Sequence, residues 1–350
     1  MIHAHRNRIT EAIGFANNIF KKISESEGIE NAASVFDSSV FWSSFRLITQ
    51  RIFVNITKLS FALSVEENIS LANFSQMISS IENDLKDLSS VFFTFPKEQG
   101  LTLRSILRKW FKQIFSDFDE YFKFLQKKPV NSQAFKNDLK HVQAVILKSI
   151  EEIDNLPADN KLATIQVLEE EQALVDDAIQ EFDESIECHH MMMEDYSENW
   201  KMIWNNKEFE LAEKGEDVLK TVTALCKKLK LAVNTNGKCC TESQISQLDD
   251  LVDTFRKLSP AVDDFVSSLY TPQVMDEIKE NVTGLRNLMN QLLNQAKVSH
   301  YTSETDMQWV NFLGQAVTHN CSKVDSAISS SVNNAEVHQL ILDNLSLNNS

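Results

Sequence analysis

The sequence predicts an all-α protein built as two antiparallel helical-bundle halves. The chain has 350 residues, of which 43% are hydrophobic, so it is able to bury a core. It contains only 7 Gly and 5 Pro, where average usage would place roughly 25 and 17. The tight turns of a sandwich, a barrel or a doubly wound sheet depend on those two residues, whereas long helices do not. Apolar residues also recur at helical spacing along most of the chain.

The individual helices follow this periodicity and are separated by prolines and polar turns. One apolar stripe runs from Ile9 to Phe20 and another from Phe41 to Ile56, and such stripes require partner helices. The predicted helices are 3–27, 34–64, 67–93, 100–127, 131–155, 158–188, 214–235, 242–257, 260–269, 273–299, 305–330 and 334–345.

Residues 188–215 lose the helical periodicity and mix His189, His190, three Met residues, several acids and the pair Trp200 and Trp204. The sequence therefore predicts three segments. Residues 1–188 form an N-terminal bundle that ends in an acidic amphipathic helix, 189–213 form an acidic linker rich in Met and His, and 214–350 form a C-terminal bundle. Periodicity leaves open whether the Trp pair docks back or stays a mobile anchor.

Charge is concentrated in one part of the chain. The net charge is −16, and residues 151–217 hold 21 of the 50 acidic but only 4 of the 34 basic residues. This balance argues against direct binding to nucleic acid or to an anionic membrane. The first 20 residues show no apolar signal-peptide core, and the 5 Cys form no readable disulfide framework. We therefore expect a reduced, intracellular protein without a membrane span.

The helix predicted at 158–188 has the clearest pattern. Its apolar seam has alternating steps of three and four residues, as in a coiled coil. Two interpretations follow: a bundle helix with its charged face in water, or a helix whose acidic flanks attract a basic partner helix. For the second, the candidate partner-binding residues are Glu169, Glu170, Asp176, Asp177, Glu181 and Glu184.

Constellations that carry chemistry are missing from the sequence. It has no glycine-rich phosphate loop and no nucleophile elbow. Cys188, His189 and His190 lead into three Met residues, a soft-ligand run, but adjacent side chains do not converge on one metal. Cys239 and Cys240 lack the spacing of a redox pair. We predict no catalytic residue, no metal and no cofactor; a helical metalloenzyme that uses His190 is the competing hypothesis.

Four short blocks, in order along the chain, point to a family. Phe95–Arg104 (FPKEQGLTLR) resembles the FPK-x-QG-x-TLR block of the cyclin-D-binding protein family, also known as GCIP. Asp159–Lys161, Gln247–Asp253 (QLDDLVD) and Ser259–Asp264 (SPAVDD) resemble further blocks of that family. The residues also predict structural roles: a helix connection at Pro96 and Gly100, a cap at Thr102 or the turn before it, and a Ser259 cap before Pro260.

The resemblance implies a non-enzymatic protein of two bundle-like halves, in the style of vinculin and α-catenin. It implies binding to D-type cyclins or other cell-cycle and transcription regulators, negative regulation of the cell cycle, and a place in cytoplasm and nucleus. A helix-loop-helix region without a DNA-reading segment is also ascribed to the family and would correspond to 158–235. The linker departs from the family, being shorter and rich in Met and His. The oligomeric state stays open.

A second function is compatible with the same helical architecture. A cytoskeletal or adhesion adaptor of the vinculin type would need a basic face, which Arg104, Arg108, Lys109 and Lys112 suggest.

Overall fold

The computed structural model describes residues 2–25, 36–65, 69–127, 133–194 and 204–347. All regular secondary structure in these ranges is helical, which confirms the all-α class. The similarity in style to vinculin and α-catenin stays a prediction. The helices are α1 (Ile2–Glu25), α2 (Ser38–Val65), α3 (Leu71–Thr94), α4 (Leu101–Lys127), α5 (Gln133–Glu151), α6 (Asn160–Glu194), α7 (Asn206–Asn236), α8 (Glu242–Phe255), α9 (Leu258–Leu269), α10 (Met275–Val298) and α11 (Met307–Leu347).

The chain forms two compact units, Met1–Ala163 and Thr164–Ser350. The sequence instead predicted a boundary at residue 188. The difference arises because the apolar seam of α6 packs into the core of the second unit. Its seam residues Leu168, Val175, Phe182 and Ile186 are all buried there. The acidic helix is therefore the first helix of the second unit and not the last of the first.

The predicted linker 189–213 also needs correction. Helix α6 continues to Glu194, and α7 begins at Asn206. The start of α7 is a capping box, in which the Asn205 side chain accepts the N–H groups of Lys207 and Glu208 while the Glu208 carboxylate accepts the N–H of Asn205. This reciprocal arrangement stabilises a helix start. Residues 195–203, with Trp200, lie outside the described residues.

In the first unit, α1 packs against α3 and α4, α2 against α3 and α5, and α4 against α5. Two side-chain pairs show that α1 and α4 run antiparallel. Asn17 Nδ2 donates to Asp119 Oδ1 at 3.0 Å, and Gln126 Nε2 donates to Thr10 Oγ1 at 2.8 Å. Because the lower-numbered residue of α1 meets the higher-numbered residue of α4, the predicted antiparallel arrangement is confirmed for this pair.

Aromatic side chains fill the centre of the first unit. The Phe45 ring lies nearly parallel to Phe111, with 5.1 Å between centroids, and meets Trp110 edge-on at 5.0 Å. The Trp110 Nε1–H donates to the backbone oxygen of Ser149 at 2.8 Å. Offset-stacked and edge-on pairs add favourable electrostatics to the buried area. These contacts join α2, α4 and α5 in one core.

The connection before α4 depends on Gly100 and Asn160. Gly100 has a φ of 113°, a conformation that L side chains rarely adopt. A Cβ added there would lie 2.0 Å from Cγ and Oδ1 of Asn160. The same Oδ1 accepts the N–H of Leu103 at 3.0 Å, so the Asn160 side chain and the turn before the helix together cap the start of α4. From the sequence, this role was predicted for Thr102 or for that turn.

In the second unit, α7 packs against α9, α10 and α11, and α10 packs against α8, α9 and α11. The helices predicted at 305–330 and 334–345 are one continuous helix, α11. The predicted Ser259 cap is wrong, because α9 begins at Leu258 and places Ser259 inside the helix. Within the described ranges, no helix combines the length and apolarity that crossing a membrane requires.

Candidate functional site

The neighbours of α6 decide which of its residues face outward. On one side α6 approaches α7, where Glu169 lies 3.9 Å from Lys230. On another side it approaches the end of α9, where the hydroxyl of Ser185 lies 2.9 Å from that of Tyr270. The seam between these sides is buried. The face opposite the seam is left to solvent.

Four of the six candidate acids lie on this outward face, which we call the α6 acidic face: Glu170, Asp177, Glu181 and Glu184. All four are exposed, and none has an ion-pair partner among the described residues. Their only side-chain hydrogen bonds in that part of the chain come from glutamines one turn earlier, Gln166 to Glu170 and Gln180 to Glu184, each 2.9 Å long. The carboxylates are thus free to meet a cationic partner.

The other two candidates turn toward α7. Glu169 approaches Lys230 as described, and the half-buried Asp176 accepts a hydrogen bond from Gln172 Nε2 at 3.0 Å. Asp176 is engaged within the second unit, whereas Glu169 is 59% exposed and its pairing with Lys230 is weak. The structure therefore divides the six predicted residues into an outward set of four and a set of two on the side of α7.

A cleft of about 410 Å³ lies between α6 and α7 and is predominantly acidic. Asp176, Asp183, Glu184 and Glu187 line it, with Lys220 as its only lysine or arginine lining residue in the described part of the chain. The charge of Lys220 is partly compensated, because its Nζ lies 2.7 Å from Glu216. The cleft extends the negative potential of the α6 acidic face toward α7.

Asp183 was not among the predicted candidates although it lines this cleft. Burial raises the pKa of its carboxyl; the charge of Glu216 adds to the rise, Lys220 opposes it and Glu187 adds further. One carboxylate oxygen is buried without a hydrogen-bond partner in the described residues. Asp183 directly follows the seam residue Phe182 in the sequence, but only the position of α7 shows that it lies beside the cleft.

The run from Cys188 to Met193 does not form a metal site in the described residues. His189 is fully buried and stacks on Phe209 with 4.0 Å between centroids. The His190 ring meets the same Phe209 edge-on at 4.9 Å, its Nε2 lies 3.5 Å from Glu213, and Met191 is exposed. The side chains of Met192 and Met193 lie outside the described set. No group of three or more His, Cys, Asp or Glu side chains suited to a metal occurs in the described parts of the chain.

Trp204, in the stretch 188–215 that lacks helical periodicity, belongs to the core of the second unit. Its side chain is 1% exposed, and its Nε1–H donates to the backbone oxygen of Leu269 at 2.7 Å. Its ring lies parallel to Tyr270 with 5.5 Å between centroids. Of the two alternatives that the sequence left open for this tryptophan, docking is the one observed.

The basic face required by the cytoskeletal hypothesis loses one of its four residues. Arg104 is 2% exposed, and its guanidinium lies over the Phe92 ring and donates to the backbone oxygen of Phe95. It holds the Phe95–Arg104 block together and does not contribute to a surface. A cleft between α1 and α4 is lined by Arg108, Lys109 and Lys112.

The blocks that carry the family resemblance make hydrogen bonds inside each unit, and in the first unit two of the blocks meet. In the first unit, Asn160 contacts the backbone of Leu103. In the second, Gln247 Oε1 accepts the backbone N–H of His300 at 2.9 Å and lies 2.8 Å from His300 Nδ1. These hydrogen bonds give the blocks a structural role in joining helix ends.

Comparison with known families agrees with the resemblance. The family model described as "Grap2 and cyclin-D-interacting, N-terminal" matches residues 47–187, and the corresponding C-terminal family model matches residues 175–294. Cyclin-D1-binding protein 1 homolog of Danio rerio is 28% identical over 310 residues, which cover 86% of this chain and 90% of the relative. Cyclin-D1-binding protein 1 of Bos taurus is 27% identical over 308 residues and that of Homo sapiens 25% over 309; both alignments cover 83% of this chain and 84% of the relative. The chain belongs to the GCIP family of Grap2 and cyclin-D-interacting proteins.

Proposed function

We propose that this protein binds a D-type cyclin and restrains cell-cycle progression by withholding the cyclin from its kinase. One observation carries the proposal: similarity to relatives named for binding cyclin D1 extends over 83–86% of the chain. Both units take part in this similarity, so it is not a single shared segment. The matched family and relatives are named for binding and not for a reaction, which supports a non-catalytic role.

The α6 acidic face is the docking surface in this proposal. Its four carboxylates are exposed and have no ion-pair partner in the described residues, so a basic or amphipathic helix of the client is able to approach without displacing an internal ion pair. Complementary charge mainly speeds encounter and sets orientation. We therefore expect association to slow as salt is raised, because salt screens exposed charges.

A binding assay with a matched control tests this surface. The test variant carries Glu170→Lys, Asp177→Lys, Glu181→Lys and Glu184→Lys. The control variant carries Asp253→Lys, Glu277→Lys, Glu280→Lys and Glu304→Lys, four exposed acids of the same unit that have no ion-pair partner in the described residues. Both variants change the net charge equally, so only the position of the charges differs.

Calorimetric titration of purified cyclin D1 into each protein gives the affinity. We expect the test variant to bind at least about tenfold more weakly, roughly 1.4 kcal/mol, and the control to bind like the unmodified protein. Equal weakening of both variants would show that net charge matters and the face does not. Absence of binding by the unmodified protein would remove the cyclin proposal itself.

Negative regulation has its own measurement. We expect the protein to lower phosphorylation of the retinoblastoma protein by a cyclin-D-dependent kinase, in proportion to the cyclin it binds. Unchanged phosphorylation at saturating protein would contradict the inhibitory role while leaving binding intact.

Action in both cytoplasm and nucleus is part of the proposal, and fluorescence microscopy of the tagged protein in its own cells tests it. A signal confined to one compartment would contradict that part.

A further inference from the structure

Helix α2 of the first unit has a second apolar face that points to solvent. Its inner face packs into the aromatic core through residues such as Phe45 and Ile52, both fully buried. On its outer face lie five large apolar side chains that we call the α2 stripe. These are Val40, Leu47, Val54, Phe61 and Val65, which are 57%, 57%, 44%, 67% and 60% exposed. Single exposed apolar residues are ordinary, but an aligned set marks a contact surface.

The neighbouring helices flank the stripe and leave it open. Toward α3, Arg51 Nε donates to Asp84 Oδ1 at 2.9 Å. Toward α5, Gln143 Nε2 lies 3.5 Å from Thr57 Oγ1. The α2 stripe lies between these two contacts on the helix circumference.

The spacing of the stripe is that of a helix-pairing surface. Val40, Leu47, Val54 and Phe61 follow one another at intervals of seven residues. The alternate seam position, four residues further on, is apolar only at its end and holds Ser44, Arg51, Lys58 and Val65. A seven-residue apolar repeat keeps one side of a helix against a partner helix that crosses it at a small angle. Burial against a flat or irregular surface requires no such repeat, so the spacing favours a helix as the occupant.

The charges around the stripe indicate the chemistry of that helix. Helix α2 contains no Asp or Glu, and its outer face carries Arg46, Arg51 and Lys58. Arg51 is already engaged by Asp84 and by Asp87 at 2.5 Å. Arg46 lies 3.7 Å from Asp154, but these side chains are 54% and 77% exposed, so their pairing is weak.

Lys58 is exposed and has no ion-pair partner among the described residues. Glu66 and Glu67, which follow α2 in the sequence, lie outside the described residues. The surface is therefore apolar with basic flanks, in a protein whose net charge is −16.

We propose that the α2 stripe docks an amphipathic helix of another protein, one with apolar residues at heptad spacing and carboxylates beside them. A second copy of this chain fits less well, because pairing two α2 helices would bring Arg46 and Lys58 against the same basic residues. An anionic membrane fits less well because the protein as a whole is acidic. The inference goes beyond the proposed function: it concerns the other unit, a different helix and a partner of opposite charge.

The probe is a synthetic helical peptide with Leu at heptad positions a and d and Glu at e and g. Its matched control carries Lys in place of Glu. Fluorescence anisotropy with the full chain measures the affinity of each peptide. We expect the Glu peptide to bind at least about tenfold more tightly than the Lys peptide, and this preference to shrink in the Arg46→Glu, Lys58→Glu variant.

A stripe variant carries Leu47→Gln, Val54→Gln and Phe61→Gln, and its control carries Phe312→Gln on α11, where the phenylalanine is 67% exposed. Because these side chains are exposed, we expect all variants to fold, which circular dichroism checks. The stripe variant should no longer bind the Glu peptide, whereas the Phe312→Gln control and the α6 charge-reversed variant should still bind it. Binding of the Glu peptide by the α6 charge-reversed variant separates this inference from the proposed function.

Three results would overturn the proposal. The first is equal binding of both peptides or undiminished binding by the stripe variant. The second is sedimentation with phosphatidylserine vesicles that the stripe variant loses, since it would assign the surface to membrane. The third is a dimer in analytical ultracentrifugation that the stripe variant abolishes, since it would assign the surface to a second copy.

Discussion

Replacing Gly100 by Ala should destabilise the first unit in two separable ways. The backbone conformation at φ 113° is strained for any L side chain, which costs about 2 kcal/mol. The new Cβ would also lie 2.0 Å from Asn160 Cγ and push away the oxygen that accepts the Leu103 N–H. Loss of such a cap costs about 1 kcal/mol, so the total loss in unfolding free energy is about 3 kcal/mol.

A double-mutant cycle separates the two contributions. Asn160→Ala alone removes the cap and should cost about 1 kcal/mol. In that background Gly100→Ala meets no amide and should cost only the backbone strain, about 2 kcal/mol. We therefore expect a coupling free energy of about 1 kcal/mol, measured by urea unfolding followed by far-UV circular dichroism.

Gly14→Ala is the control, because a Cβ at this helical position meets nothing within 4 Å. It should stabilise the protein by about 0.5–1 kcal/mol. Strictly additive effects of Gly100→Ala and Asn160→Ala would refute the proposed clash. A neutral Gly100→Ala would refute the whole argument.

Three further predictions concern titratable groups. Burial and, to a lesser extent, His190 lower the pKa of His189 below its ordinary 6.5. As the pH falls below that value, the unfolded chain therefore binds the proton before the folded protein does, and stability decreases. Melting temperatures over a pH series should show this decrease, and His189→Phe should make it smaller. The pKa of Asp183 is raised above its ordinary 3.8, so ionisation of this carboxyl opposes folding at neutral pH. Asp183→Asn should therefore raise the melting temperature at pH 7 but not below pH 3.8, where the folded and unfolded chains are both protonated at this position; a lower melting temperature at pH 7 would contradict this. Burial raises the pKa of Cys226 to about 12. A maleimide should therefore label the exposed Cys240 and leave Cys226 unlabelled in the native protein, as measured by peptide mass spectrometry. Equal labelling of the two thiols would place Cys226 at the surface.

The apolar seam of α6 shows how much the sequence was able to predict. Its three-and-four spacing predicted a buried stripe, and Leu168, Val175, Phe182 and Ile186 are indeed buried. The prediction succeeded because the side of a helix on which a residue lies depends only on local geometry. The helical nature of both halves follows from equally local signals, whereas the start of α6 was predicted at residue 158 and lies at Asn160.

The partners of that seam were beyond local reasoning. A seam does not specify which helices cover it, so the sequence grouped α6 with the N-terminal bundle, whereas its seam packs in the second unit. For the same reason the sequence did not separate Glu169 and Asp176, on the side of α7, from the outward four. The burial of Trp204 was equally difficult to predict, because the backbone oxygen that its indole N–H contacts belongs to Leu269, 65 positions away. The start of α7 is different: Asn205 and Glu208 have capping-box spacing, and that signal was available.

The position of α6 bears on how deletion experiments with this protein are to be designed. A fragment cut at residue 188, where the sequence changes character, would leave the second unit without most of α6. It would remove the buried seam residues of α6 from that core, among them Phe182, whose ring meets Trp204 and Tyr270. Such a fragment is expected to aggregate or to bind non-specifically. Loss or gain of a partner in it would report unfolding and not the location of a binding site. Fragments that end at Ala163 or begin at Thr164 keep each hydrophobic core with its own helices.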